Sequence, residues 1–172
     1  MANLVAAGSL PLPLGRTKQT QGYNEITMKV YLDNCCFNRP YDDQSHLRIR
    51  LESEAKMKIQ EEIRSGVYKL IWSYILDYEN SKNPFIERKQ QIAKWRMYAI
   101  EDIQESAEVL TLARMLQKYG IGKIDSLHIA CAIHAGAFFF LTTDDGILKK
   151  ATPIIQSIRI IDPIDFIKEA LL

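Results

Sequence analysis

Apolar positions along the chain switch between two periods. Val30-Tyr31-Leu32 is a short apolar run ending in Asp33 and predicts a strand. Ser45 is the expected cap of a helix whose apolar ridge is Leu47, Leu51, Ala55, Ile59 and Ile63, ending at Gly66. Val67 to Trp72 is β-branched and aromatic, a second strand. Ser73 then caps a short helix through Asn80, and Pro84 opens a third that reaches about Tyr98. Glu105 to Tyr119 carries Val109, Leu112, Ala113 and Leu116 on one face and stops at Gly120. Lys123 to Ala135 reads as a helix of small residues, and Ala137 to Leu141 as a buried strand. Asp144 to Lys150 is a helical turn, Ile158 to Ile161 a last strand, and Pro163 to Leu172 a closing helix.

Strands that alternate with helices favour a parallel sheet covered on both faces. The expected fold is a three-layer α/β/α sandwich with a mostly parallel central sheet. In such sheets ligands gather beyond the carboxyl ends of the strands, near the point where strand order reverses. A length of 172 residues fits one domain with a sizeable core. Residues 1–27 differ from the rest: two prolines, three glycines and no sustained period. They read as a flexible leader or an artificial extension, with Met28 a natural initiator and 28–172 the working domain. No apolar run reaches the roughly 18 residues that would span a bilayer. Three cysteines, two of them adjacent, make no disulfide framework and suit a reducing cytoplasm. Neither they nor the three histidines have zinc-site spacing. A net charge of +1 does not by itself announce a nucleic-acid partner.

The end of a hydrophobic strand is a costly place for a carboxylate, so Asp33 asks for company. Asp144 follows the strand FFFL through Thr142-Thr143, Glu79 lies one to two turns into the helix after the second strand, and Asp125 sits in a first helical turn. All four are expected at one sheet edge. Carboxylates gathered in one pocket repel and raise each other's pKa. A divalent cation relieves this, and oxygen ligands suit Mg²⁺ or Mn²⁺. Such an ion activates water and offsets charge on phosphate, which suits phosphodiester hydrolysis. Taken singly, each acid reads first as a helix cap or a solvated surface charge; their joint placement is what points to a metal pocket.

These stretches resemble the motifs of the PIN-domain family. YLDNCCFNRP is similar to its first motif, a strand ending in Asp. GKIDSLHIACAIHAG is similar to its D-x-L-H-x-A-x-A helix, and FFFLTTDDGILKKA to its T-x-D strand end. WSYILDYEN resembles the segment that carries an acid after the second strand, with Asp77 a rival to Glu79. The resemblance implies a metal-dependent ribonuclease, similar to VapC toxins partnered by a small antitoxin. It implies that Asp33, Glu79, Asp125 and Asp144 hold Mg²⁺ or Mn²⁺, that Thr142 orients the site, and that Asp145 helps through water. Asn34-Cys35-Cys36 departs from the Thr or Ser then Asn of many members, which touches the supporting contact expected of Asn34 but not Asp33.

His128 falls three residues after Asp125 on the same helix face; it reads as a packing histidine first and a base second. Cys35 and Cys36 read as packing ahead of redox chemistry. Arg39, Lys123, Lys149 and Lys150 stand near the expected pocket edge, as phosphate contacts or as a solvated face. Trp72 is expected in the core and Trp95 in an interface or core. Phe85, Ile86, Ile92, Trp95 and Met97 spread around the third helix more widely than one buried stripe needs, which predicts a homodimer. The alternatives are a catalytically silent PIN-like binding or regulatory module and a phosphoryl-transfer domain with a nucleophilic Asp33. The second lacks an acid two residues on, where Cys35 stands.

Overall fold

The structure, a computed structural model, describes residues 28–170; the expectations for 1–27 and for the last two residues lie outside the described residues. The strands are β1 (Met28–Leu32), β2 (Tyr68–Ser73), β3 (Ala99–Ile103), β4 (Phe139–Leu141) and β5 (Arg159–Ile161). The helices are α1 (Asn34–Asn38), α2 (Leu47–Arg64), α3 (Tyr74–Ser81), α4 (Ile86–Ala93), α5 (Ala107–Gln117), α6 (Lys123–His134), α7 (Asp145–Ala151) and α8 (Pro163–Ala170). Short 3-10 turns follow α1 at Arg39–Tyr41 and α4 at Lys94–Tyr98. No helix among the described residues is long and apolar enough to cross a membrane.

The sheet is parallel throughout, in the order β3-β2-β1-β4-β5. Its direction of winding reverses between β1 and β4. Tyr31 pairs in register with Phe140, and their rings stack at 5.4 Å. Tyr31 meets His128 of α6 edge-on. Phe139, one residue earlier than Phe140, meets Phe166 of α8 edge-on at 4.9 Å. Neighbouring strand residues point to opposite faces, so α6 and α8 cover opposite sides. With α5 packed on α6 and α2 on α8, this is the three-layer α/β/α sandwich that the alternation predicted.

Three departures have physical causes. First, β3 is absent from the expected set. Its sequence AIEDI lies at a sheet edge and is nowhere fully buried, so it carries no continuous apolar run. The helix expected from Pro84 to Tyr98 instead ends at Ala93 and gives way to a 3-10 turn that leads into β3. Second, Ser45 is not the cap of α2. His46 holds that position without a side-chain bond, while Asp43 accepts from the backbone of Ser45. Third, the N-terminal half of the α2 ridge faces outward. Leu47 is 60% exposed and Leu51 42%, whereas Glu52 is 1% exposed. The buried face there is polar: Glu52 takes Arg39 Nε at 2.8 Å and Arg48 Nε at 2.8 Å. Only Ile59 and Ile63, further along, join the core.

Lys56 lies on the same buried face, its ammonium 5.6 Å from the centre of the Phe37 ring and 6.0 Å from that of Trp95. Burial pushes its pKa down from the ordinary 10.5 to about 8. That drop amounts to roughly 3 kcal/mol of disfavoured charge as an upper bound, and the two rings give back about 0.5–2 kcal/mol. A base with a depressed folded pKa carries its full penalty below that pKa and sheds it as pH rises toward the unfolded value. Lys56→Met is therefore expected to raise Tm at pH 7 by about 2–6 °C, with the gain shrinking above pH 8. Differential scanning calorimetry across that range checks it; a lower Tm at pH 7, or a gain that ignores pH, would show that the charge is not the cost.

Candidate metal centre

The site forms at the carboxyl ends of β1, β2 and β4, where the winding reverses. Asp33 follows β1 and caps α1, accepting from Asn34 N at 2.7 Å. Its backbone N–H donates to Leu141 O at 2.9 Å and extends the β1–β4 pairing by one residue. Its other carboxylate oxygen accepts from Thr142 Oγ1 at 2.9 Å and from Cys35 Sγ at 3.2 Å. Thr142 Oγ1 in turn accepts from Asp144 N at 3.1 Å, so one buried hydroxyl links two of the acids.

Asp144 caps α7, its Oδ1 accepting from Gly146 N at 2.6 Å and Ile147 N at 3.2 Å. A Cβ at 146 would come within 2.9 Å of that same oxygen, so any other residue there would push the carboxylate aside. Asp125 stands in the first turn of α6 above Gly122, where a Cβ would come within 3.0 Å of Asp125 Oδ2. Asp125 and Asp144 line one pocket with Gly122, Ile147 and Lys150. The Asp125 pKa is raised, by burial first and then by the charges of Asp33 and Asp144, with a smaller push from Glu79; His128 opposes the rise. The four predicted acids are therefore electrostatic neighbours.

Glu79 reaches the site from the last turn of α3, a helix capped by Ser73 at the end of β2. Its Oε2 lies 2.5 Å from His128 Nε2, which is itself 3.8 Å from Asp33 Oδ1. One ligand atom from each of Asp33, Glu79 and His128 fits within 4.8 Å of the others, a spacing that can accept a cation. Asp77 points elsewhere, accepting from Trp72 Nε1 at 2.9 Å and pairing with Arg96.

The supporting residues divide. Thr142 lies at the centre. Asn34 touches Asp33 through its backbone, while its side-chain oxygen accepts from Asn38. Asp145 forms a two-bonded ion pair with Arg48 at 2.6 and 2.9 Å, which lowers its pKa and ties α7 to α2. Arg39 is engaged by Asp42, Glu52 and Thr143 O, whereas Lys123, Lys149 and Lys150 are exposed. Trp72 is in the core; Trp95 packs against it, half-buried. Sequence reasoning missed the setting of His128, and Tyr31 and Ser73 behind it. The i, i+3 spacing of Asp125 and His128 was the available signal for the first.

No protein-family model matches the chain, and neither does any curated protein. Among solved structures, FitAcB from Neisseria gonorrhoeae aligns with a TM-score of 0.51 and 13% identity, over 78% of this chain and 97% of that one. VapBC2 from Rickettsia felis, bound to a DNA fragment from their promoter, aligns at 0.49 with 19% identity, over 77% and 97%. DNA-bound VapBC from Salmonella typhimurium aligns at 0.47 with 17% identity, over 80% and 99%. At 13% identity the likeness to FitAcB is one of fold. The chain has a PIN-like fold, as its motifs implied.

A carboxylate with a raised folded pKa costs stability while ionised, and the cost fades as pH falls through that pKa toward the ordinary 3.8. In metal-free buffer at pH 7, Asp125→Asn is thus expected to raise Tm by about 1–2 °C, a difference that closes on acidification. Thermal melts in EDTA from pH 7 down to the ordinary carboxylate pKa check this. An Asp125→Asn variant less stable than wild type throughout would mean that the carboxylate is a structural acceptor.

Proposed function

We propose that this chain is a ribonuclease that hydrolyses RNA phosphodiesters with a divalent cation, Mg²⁺ or Mn²⁺. The observation that carries the reading is the convergence of Asp33, Glu79, Asp125 and Asp144 where the sheet reverses its winding. Four like charges there, one of them with a raised pKa, form a donor set that a hard cation would satisfy. Asp33, Glu79, Asp125 and Asp144 would hold the ion. When bound, it supplies a water made nucleophilic near neutral pH and a positive charge against the phosphate.

The chain's own groups do the rest. Thr142 fixes Asp33 by donating to Oδ2 and fixes Asp144 by accepting from its N–H. Gly122 and Gly146 leave room for the carboxylates of Asp125 and Asp144. Lys150 at the pocket and Lys123 and Lys149 nearby, all exposed, offer ammonium groups to the RNA backbone. Attack by water on phosphorus with departure of the 3′-oxygen leaves 5′-phosphate and 3′-hydroxyl ends.

The motif resemblance supports a toxin's role, with a small antitoxin protein as partner and the cytoplasm as its place. Three free cysteines suit that compartment. A homodimer is supported by apolar side chains left in solvent around α4: Ile86 is 71% exposed, Met97 77% and Phe85 57%. Light scattering at rising concentration is expected to report a dimer, and a monomer throughout would remove that part.

The activity is tested on purified protein with labelled single-stranded and structured RNA. Cleavage is expected with Mn²⁺ or Mg²⁺, a loss of at least ~100-fold in excess EDTA, and the same loss in Asp33→Asn, which controls for contaminants. Cutting that survives EDTA would overturn the mechanism. Mn²⁺ binding without cleavage of any RNA would favour a silent binding module.

A further inference from the structure

The acids of the site are not held alike. Asp33 takes three donors, from Asn34 N, Thr142 and Cys35, and Asp144 takes two backbone N–H groups. Glu79 has the longer side chain, with one more rotatable bond than an aspartate, and is partly open to solvent. Among the described residues, its carboxylate is hydrogen-bonded by His128 alone, at 2.5 Å. The imidazole itself is buried and engaged at both nitrogens. Its Nδ1 lies 2.6 Å from the Tyr31 hydroxyl, which lies 2.6 Å from Ser73 Oγ. Tyr31 and Ser73 are fully buried, and burial keeps the Tyr31 hydroxyl protonated by pushing its pKa well up. Tyr31 is locked in turn by its stack on Phe140. Ser73 Oγ also accepts from Leu76 N in the first turn of α3, the helix that carries Glu79. The chain Ser73–Tyr31–His128–Glu79 therefore starts at the base of that helix and ends at its carboxylate.

We infer that His128 and Tyr31 are positioning residues: His128 donates its Nε2–H to Glu79 and aims that carboxylate at the cation, and Tyr31 sets the imidazole from behind. The inference rests on the metal-centre reading above. Its rival is that Nε2 is itself a ligand, which the 4.8 Å grouping with Asp33 and Glu79 would allow. An N–H directed at Glu79 leaves Nε2 no lone pair for a metal, so the two assignments exclude each other.

The test reads Mn²⁺ binding to the full chain by calorimetry and by electron paramagnetic resonance, without RNA. His128→Ala is expected to weaken Mn²⁺ by about 10–100-fold, as loss of an outer-sphere partner does. His128→Gln, which keeps an N–H at similar reach, should recover most of that. Tyr31→Phe, which keeps the stack on Phe140, should cost several-fold and guards against a misfolded His128→Ala protein. In a Glu79→Gln background, His128→Ala should cost little more, because the carboxylate it positions is gone. The bound Mn²⁺ should show no nitrogen hyperfine coupling. A nitrogen coupling lost in His128→Ala would make His128 a ligand and overturn the inference. So would unchanged affinity in folded His128→Ala and Tyr31→Phe, or a full His128→Ala penalty without Glu79. A wild-type chain that takes no Mn²⁺ would bring down the metal-centre reading itself, a different result from the loss of the positioning role alone.

Discussion

Everything at the site depends on β1 and β4 staying paired to their last residue. These strands flank the reversal of the sheet, and the chain leaves them in separate directions, into α1 and α7. The bond from Asp33 N to Leu141 O carries the ladder past the end of β1. Thr142 Oγ1, donating to Asp33 and accepting from Asp144 N, then closes the gap between the two departing segments. The carboxylates gain from each other nothing but repulsion: after burial, the charges of Asp33 and Asp144 are what raise the pKa of Asp125. Backbone pairing and one hydroxyl therefore have to hold together what electrostatics pushes apart. A buried threonine can do this alone, since a single O–H both donates and accepts.

A second constraint acts from the rim. Glu52 is buried with both oxygens committed to arginines, and Arg48 passes the connection on to Asp145 beside the site. Arg39 adds a bond to Thr143 O. Buried ion pairs contribute little net stability, because desolvation offsets most of the Coulomb gain, yet removing one partner strands the other. What such a network can fix is register. Here it fixes the start of α2 against the loop that carries Thr142 and Asp144, while leaving Leu47 and Leu51 in water.

That arrangement explains where the sequence could be read and where it could not. Buried strands announced themselves, since Val30 to Leu32 and Phe139 to Leu141 are continuous apolar runs with no solvent face. Asp33 was legible because a carboxylate at the end of such a run contradicts its surroundings. Asp144 was legible because it follows the neighbouring buried strand through Thr142-Thr143, at the same edge of the sheet. The edge strand β3 was not, because its run is interrupted by Glu101 and Asp102. The buried face of α2 was not, because apolar periodicity assumes that burial is apolar, and around Glu52 it is ionic. Choosing Glu79 over Asp77 needed three dimensions: two residues apart on α3, they face nearly opposite sides, and only the packing of the helix shows which side meets His128 and which meets Trp72.

The role of Tyr31 shows the limit most clearly. Along the chain it is the middle residue of an apolar run, and its stack on Phe140 would satisfy any account of the core. Its hydroxyl changes the account. A buried O–H must find partners, and those it finds are the cap of α3 and the ring that holds Glu79. The aromatic face of the residue thus belongs to the sheet and its polar tip to the site, so the same packing that fixes the core also fixes one of the acids. A phenylalanine there would keep every apolar contact and lose only that connection. The exchange separates the two jobs because the core reads ring shape and the site reads one hydrogen bond.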